Sequence, residues 1–408
     1  MRRHLALPAL LVLACAPAEP GAPEPAQTTK IRPGVEVFLE RPPAAVVGKR
    51  VGLITNHTGV DTQGRSSADL LAASPHFRLV SLFGPEHGIR GVLADGDVVP
   101  SGRDEKTGLP VHSLYGDTRE PTEAMLRDVD VLVFDIQDVG ARTYTYVSTM
   151  ALAMQAAKKK GIPFIVLDRP NPIGGEVVEG GILEPKHATF VGMYPIALRH
   201  GMTAGELARL FNKDFNIGAD LTVVPVEGWR RSTWFDATGL PWLNPSPNIR
   251  RLEAAIHYPG TVLFEGTNLS EGRGTDLPFE QAGAPWLDAP AVAAELNRMR
   301  LPGVRFQAVR YPIQRSAAKF PGQTVPGVRF ILTDRASYRP VRTALIAIDA
   351  IRRRHPQHFR WSGTMDRLAG TERVRSAIEG GTLPALLADW DRQAEIFRGS
   401  RASSLLYD

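Results

Sequence analysis

The chain has 408 residues, 43% hydrophobic and 22% charged, a balance that excludes collagen-like, coiled-coil and wholly disordered chains. Its 48 basic and 43 acidic side chains leave a formal charge of +5, too small a surplus for a nucleic-acid binder. One cysteine excludes intramolecular disulfides and cysteine-built zinc sites.

The N-terminus reads as an address. Met1 to His4 is basic, and Leu5 to Ala14 is an apolar run too short to span a bilayer but suited to the core of a secretion signal. The run ends in Val12-Leu13-Ala14-Cys15, which resembles a bacterial lipobox, so residues 1–14 are expected to be cleaved and Cys15 to carry the lipid. Residues 15–33 are rich in Pro, Ala, Glu and Thr and read as a disordered tether. Ala16 stands where an Asp would retain the protein at the inner membrane. The expected location is therefore the periplasm, lipid-anchored at the outer membrane.

Downstream, Val51–Thr55, Leu79–Phe83, Val131–Phe134 and Phe164–Leu167 are short apolar runs that predict buried strands. Residues 68–73, 122–127 and 146–160 predict helices between them, the last stopped by Gly161 and Pro163. The triplets Lys158-Lys159-Lys160 and Arg352-Arg353-Arg354 suit helix C-termini. Strand and helix in alternation imply an α/β fold with a mostly parallel sheet, expected over residues 34–285. Thr203 and Glu206 predict a capping box opening a helix to Asn212. Beyond about Trp286, helices (291–299, 341–354, 383–397) and strands (304–309, 328–332) predict a smaller α+β domain over 286–408.

Each predicted strand ends in a polar cluster: Asn56-His57, Glu86-His87, Asp135 to Asp138, and Asp168 to Asn171. Ligands of open parallel sheets bind beyond the carboxyl ends of strands, so the clusters mark a site. The loops lack G-x-G-x-x-G and Walker patterns, and no cofactor is expected. In Phe83-Gly-Pro-Glu86-His87-Gly-Ile-Arg90-Gly91, a carboxylate, an imidazole and a guanidinium share one tight loop. Glu86, desolvated by Phe83 and Pro85, suits a general acid; alternatively it pairs with Arg90 to hold the loop. Asp135-Ile-Gln-Asp138-Val-Gly-Ala-Arg142-Thr-Tyr144 offers two carboxylates, an anion-gripping Arg and a Tyr, with helix capping by Asp an equal alternative. Asp168-Arg-Pro-Asn171-Pro172 and Asn244-Pro-Ser-Pro-Asn248 are proline-stiffened polar loops. Glu265-Gly-Thr-Asn268-Leu-Ser-Glu271-Gly-Arg273 follows the strand-like Val262-Leu-Phe264 and is dense in sugar-binding groups. Trp229, Trp242 and Trp286 are candidate stacking platforms. A cation among His57, His87, Asp135, Asp138 and Asp168 has no diagnostic spacing behind it, and no metal is expected.

These stretches together resemble the bacterial exo-β-N-acetylmuramidases of the NamZ type, from about residue 34 to the C-terminus. The resemblance implies a Rossmann-like N-terminal domain, a smaller C-terminal domain and a cleft between them. It also implies removal of N-acetylmuramic acid from the non-reducing ends of peptidoglycan fragments, with Glu86 catalytic. Glu271, Glu265, Asp135 and Asp138 compete as the second catalytic group, and the substrate's 2-acetamido group is a further candidate. The lactyl carboxylate of N-acetylmuramic acid calls for a guanidinium, with Arg142 or Arg273 as candidates. Asn56, His87, Tyr144, Asp168, Asn171, Asn248 and Asn268 complete the expected substrate contacts. A wall-fragment binder without activity and a metal-dependent hydrolase remain as other functions.

Overall fold

The computed structural model describes residues 30–91 and 96–408; the expected signal, lipobox and Cys15 lie outside them. Helix α1 (Gly34–Glu40) precedes strand β1 (Arg50–Thr55), helix α2 (Ser67–Ala72), β2 (Arg78–Gly84), the short β3 (Gly102–Arg103), β4 (Pro110–Ser113) and β5 (Val131–Asp135). Then come α3 (Tyr146–Lys160), β6 (Phe164–Leu167), β7 (Glu179–Ile182), β8 (Ala197–Arg199), α4 (Ala204–Asp214) and β9 (Leu221–Val224). Among the described residues, a seven-stranded sheet runs in the order β3-β4-β2-β1-β5-β6-β9, parallel except for the β3–β4 pair at its edge.

The unbroken apolar runs are explained by cover on both faces. Val51, Leu53, Val131, Val133, Ile165 and Leu167 pack with Phe38 of α1 and Leu71 of α2. Their alternates Ile54, Leu132, Phe134, Phe164 and Val166 pack with Met150 and Met154 of α3 and Leu207 and Phe211 of α4. Both lysine and arginine triplets end helices as predicted: Gly161 closes α3 at φ 74°, and Thr203 and Glu206 form the capping box of α4. Because β1 lies between β2 and β5, chain order reverses direction there, and the crevice opens beyond the carboxyl ends of those strands.

Two expected elements differ. Residues 122–127 form turns, not a helix, because an i→i+4 bond (Leu126 N–H to Thr122 O) gives way to i→i+3 bonds from Arg127 and Val129. Val262–Phe264 is a 3₁₀ turn that continues helix α5 (Leu252–Thr261), not a strand. It is buried on every side, and an apolar run of that kind has no period to separate strand from helix.

The C-terminal part holds β10 (Gln281–Gly283), α6 (Ala289–Arg298), β11 (Val304–Pro312) and β12 (Thr324–Leu332), an antiparallel sheet ordered β10-β12-β11. It continues with α7 (Pro340–Arg354), α8 (Met365–Ala369), α9 (Arg373–Glu379) and α10 (Leu383–Ser400). Helix α5 packs on α7, and α10 returns to β7, where a Cβ on Gly181 would stand 2.5 Å from the Trp390 indole. The Tyr407 hydroxyl donates to Asp168 at 2.6 Å, stitching the end of the chain to the carboxyl end of β6. Among the described residues, no helix is long and apolar enough to cross a membrane.

Candidate active site

Beyond β2 the chain turns sharply: His87 adopts φ 71° and Gly88 φ 74°, with the Gly88 N–H closing on Pro85 O at 2.9 Å. This turn presents Glu86 to a cavity of about 320 Å³, within the range of small-ligand sites. Glu86 Oε2 meets the Thr145 hydroxyl at 2.8 Å, and Oε1 accepts the Gly96 N–H at 3.2 Å. Arg90 does not hold Glu86; its guanidinium is bidentate on Asp104, at 2.8 Å to each oxygen. The loop is backed by His57, whose Nε2 lies 2.7 Å from Asn244 O and whose pKa burial lowers. A Cβ on Gly91 would stand 2.0 Å from His57 Nδ1, so glycine is required there.

The loop from β5 into α3 forms a second wall with Thr143, Tyr144, Thr145 and Tyr146. Tyr144 meets Tyr146 and Tyr258 edge-on at 5.0 and 5.8 Å, and Tyr258 meets Phe279 at 4.8 Å. These rings, not Trp229, Trp242 or Trp286, are the aromatic surface of the cavity, together with Tyr115 and Phe190. The third wall carries Glu265, ion-paired with Arg273. Burial raises the Glu265 pKa, opposed by Arg273. Tyr258 is pushed up by burial and further by the charges of both Glu265 and Glu86, so the two carboxylates share its surroundings. Among the described residues, the acidic side chains lining the cavity are these two.

Several residues expected at the site do other work. Arg142 is 1% exposed and donates to four main-chain carbonyls, of Gly181, Ile196, Leu368 and Ala369, at 2.9–3.0 Å. It reads no ligand. Asp135 is locked to Arg169, with Nε to Oδ1 at 2.5 Å, in a buried pair at the end of β5. Asp168 accepts from Thr203 Oγ1, Gly205 N–H and Tyr407, and burial pushes its carboxyl up to about 6. Asn171 holds the Met202 carbonyl and the Ile173 N–H, and Asn56 folds back on Thr58. Asp138 caps the Gly140 N–H beside the buried His200. Asn268 bridges to His358 O and the Arg360 N–H. Asn248 gives way to Ser246, two residues earlier, as a lining residue. Glu271 is 5% exposed behind Arg273 and bonds Lys319 Nζ at 2.9 Å. The polar ends of the parallel strands thus serve chiefly to hold neighbouring loops; neither Asp135, paired with Arg169, nor Asp138, bonded to Gly140 N–H, caps the helix that follows.

Glu86, His87, Tyr144, Glu265 and Arg273 do converge on the cavity. Arg119, Phe190, Tyr258 and Arg367 also line the cavity, and no local motif marks them. Thr145 has a usable local signal, a hydroxyl residue standing immediately before the first turn of α3. Among the described residues, no three His, Cys, Asp or Glu side chains stand close enough to hold a cation. Asp135 and Asp168 of the imagined cation set are occupied by Arg169 and by hydrogen-bond donors.

Comparison with known proteins agrees with this architecture. Residues 51–253 match the N-terminal model, and residues 256–407 the C-terminal model, of the exo-β-N-acetylmuramidase NamZ family. The chain belongs to this family. A NamZ relative, the peptidoglycan β-N-acetylmuramidase of Bacillus subtilis (strain 168), is 49% identical over 385 residues, covering 94% of this chain and 92% of that protein. Two crystal structures of DUF1343 family proteins from Bacteroides fragilis NCTC 9343 share the fold. One has a TM-score of 0.86 at 36% identity, covering 93% of this chain and 100% of that one. The other has a TM-score of 0.73 at 31% identity, covering 93% and 99%. The NamZ division between residues 253 and 256 falls within α5, the helix that packs on α7.

Proposed function

We propose that this chain is an exo-acting β-N-acetylmuramidase that releases N-acetylmuramic acid from the non-reducing ends of peptidoglycan fragments during cell-wall turnover and recycling. Family membership supports the reaction class. The observation that carries the chemistry is the meeting of Glu86 and Glu265 in one cavity walled by tyrosines.

Glu86 is the proton donor to the leaving oxygen. A hydroxyl can donate to a carboxylate or accept from a carboxylic acid, so the Thr145 contact at 2.8 Å serves Glu86 in both protonation states. Glu265 supplies the second carboxylate, with Arg273 as its counter-ion and Glu271 and Lys319 completing a chain of alternating charges. That arrangement keeps negative charge where an oxocarbenium-like transition state needs it. The tyrosine rings offer apolar surface to the sugar.

The enzyme works from the periplasm, tethered to the outer membrane through an acylated Cys15. The basic start, the apolar run and Val12-Leu-Ala-Cys15 support this reading. The activity is tested by incubating the protein with a chromogenic N-acetylmuramic acid glycoside, with and without chelator. Release that is indifferent to chelator is expected. No release, or release abolished by chelator and restored by a divalent metal, overturns the proposal.

A further inference from the structure

Two guanidiniums named from the sequence as carboxylate readers are already engaged, Arg142 by four carbonyls and Arg273 by Glu265. The cavity holds two others, Arg119 and Arg367. Neither forms an ion pair or hydrogen bond with another described residue. Arg119 follows β4, and its Cζ stands 4.3 Å from the Phe190 ring centroid and 5.4 Å from that of Tyr115. Stacking fixes a guanidinium through its flat face and leaves its in-plane N–H donors unspent. Arg367 comes from the other part of the chain, on α8. The carbonyls of the next two residues, Leu368 and Ala369, are the ones gripped by Arg142. Buried Arg142 is therefore a positioning residue for Arg367.

We propose that Arg119 and Arg367 form a two-sided clamp for the lactyl carboxylate of the terminal N-acetylmuramic acid. The inference rests on the function proposed above and names how the site selects its sugar. Guanidinium forks bind carboxylates bidentately, and both these forks retain their donors. Glu265 lines the same cavity and is already the partner of Arg273, so the sugar's anion is drawn to the two arginines that have no carboxylate of their own.

The test uses the full chain and its variants Arg119→Gln, Arg367→Gln and Arg119→Lys on a chromogenic N-acetylmuramic acid glycoside. Free N-acetylmuramic acid and N-acetylglucosamine serve as competing inhibitors. Each Gln variant is expected to raise KM, and the inhibition constant of N-acetylmuramic acid, by about 10- to 100-fold, as expected for loss of hydrogen bonds to a charged group. The constant for N-acetylglucosamine, which lacks the carboxylate, is expected to stay unchanged. Arg119→Lys keeps the charge without the fork and should fall between. Added salt should weaken binding of N-acetylmuramic acid to the parent more than to either Gln variant. Equal weakening for both sugars, or none for either, overturns the clamp while hydrolysis by the parent leaves the proposed function standing. Failure of the parent to hydrolyse the glycoside overturns both.

Discussion

Replacing Arg142 by Met separates a structural guanidinium from a ligand-reading one. The change deletes the hydrogen bonds to Gly181, Ile196, Leu368 and Ala369 and strands their carbonyls in a region that water does not reach. Each stranded carbonyl costs about 1 kcal/mol or more. Part of that is offset by no longer burying a cation, whose desolvation draws the Arg142 pKa down to about 9. The net loss expected is about 3 kcal/mol. At about 2 °C per kcal/mol for a long chain, the melting temperature should fall by roughly 6 °C. Differential scanning calorimetry of parent and variant reads this directly, and kinetics on the chromogenic glycoside should show activity falling with the loosening of α8. A variant that melts with the parent, yet loses its preference for the carboxylate-bearing sugar, would refute the reasoning.

Other consequences follow from single contacts. Burial pushes the His257 imidazole from 6.5 down to about 3. Between those values the unfolded chain takes up a proton that the folded chain refuses, so acidification through that window removes stability, at up to about 1.4 kcal/mol per pH unit. His257→Asn should flatten the melting temperature against pH across this window; an unchanged slope would mean that His257 titrates normally. Gly91→Ala places a Cβ against His57 at φ 71° and should cost about 1–3 kcal/mol with reduced turnover, measured by melting and by kcat. If both are unchanged, the His57 contact does not set the Glu86 loop. Cys15→Ala should release the protein from the membrane fraction into the soluble periplasm, and unchanged fractionation would contradict the lipid anchor.

The parts of the fold legible in the sequence are those where local pattern and tertiary position agree. Val51–Ile54 and Phe164–Leu167 read as strands because a doubly covered sheet leaves no polar position within them. The capping box of α4 is chemistry contained in four residues. The sequence does not separate helix from turn at 122–127, where local bonds shift from i→i+4 to i→i+3, nor helix from strand at Val262–Phe264, where every position is buried and no period shows. The site shows the same division. Glu86 and Glu265 stood out because glycine-rich loops bring polar groups to strand or helix ends. Arg142 looked equally exposed in sequence, but Leu368 and Ala369 enclose it from more than 200 residues away. Arg119 and Arg367 carry no local motif; only folding brings them to one cavity.

Glu86→Gln tests the central claim most directly, because it preserves shape and the Thr145 contact while removing the transferable proton. The account predicts an unchanged melting temperature and a fall in turnover of about 10²–10⁴-fold on a disaccharide with a poor leaving group. On an aryl glycoside, whose leaving group needs little protonation, the loss should be partly rescued. A lowered melting temperature with equal losses on both substrates would contradict Glu86 as the general acid.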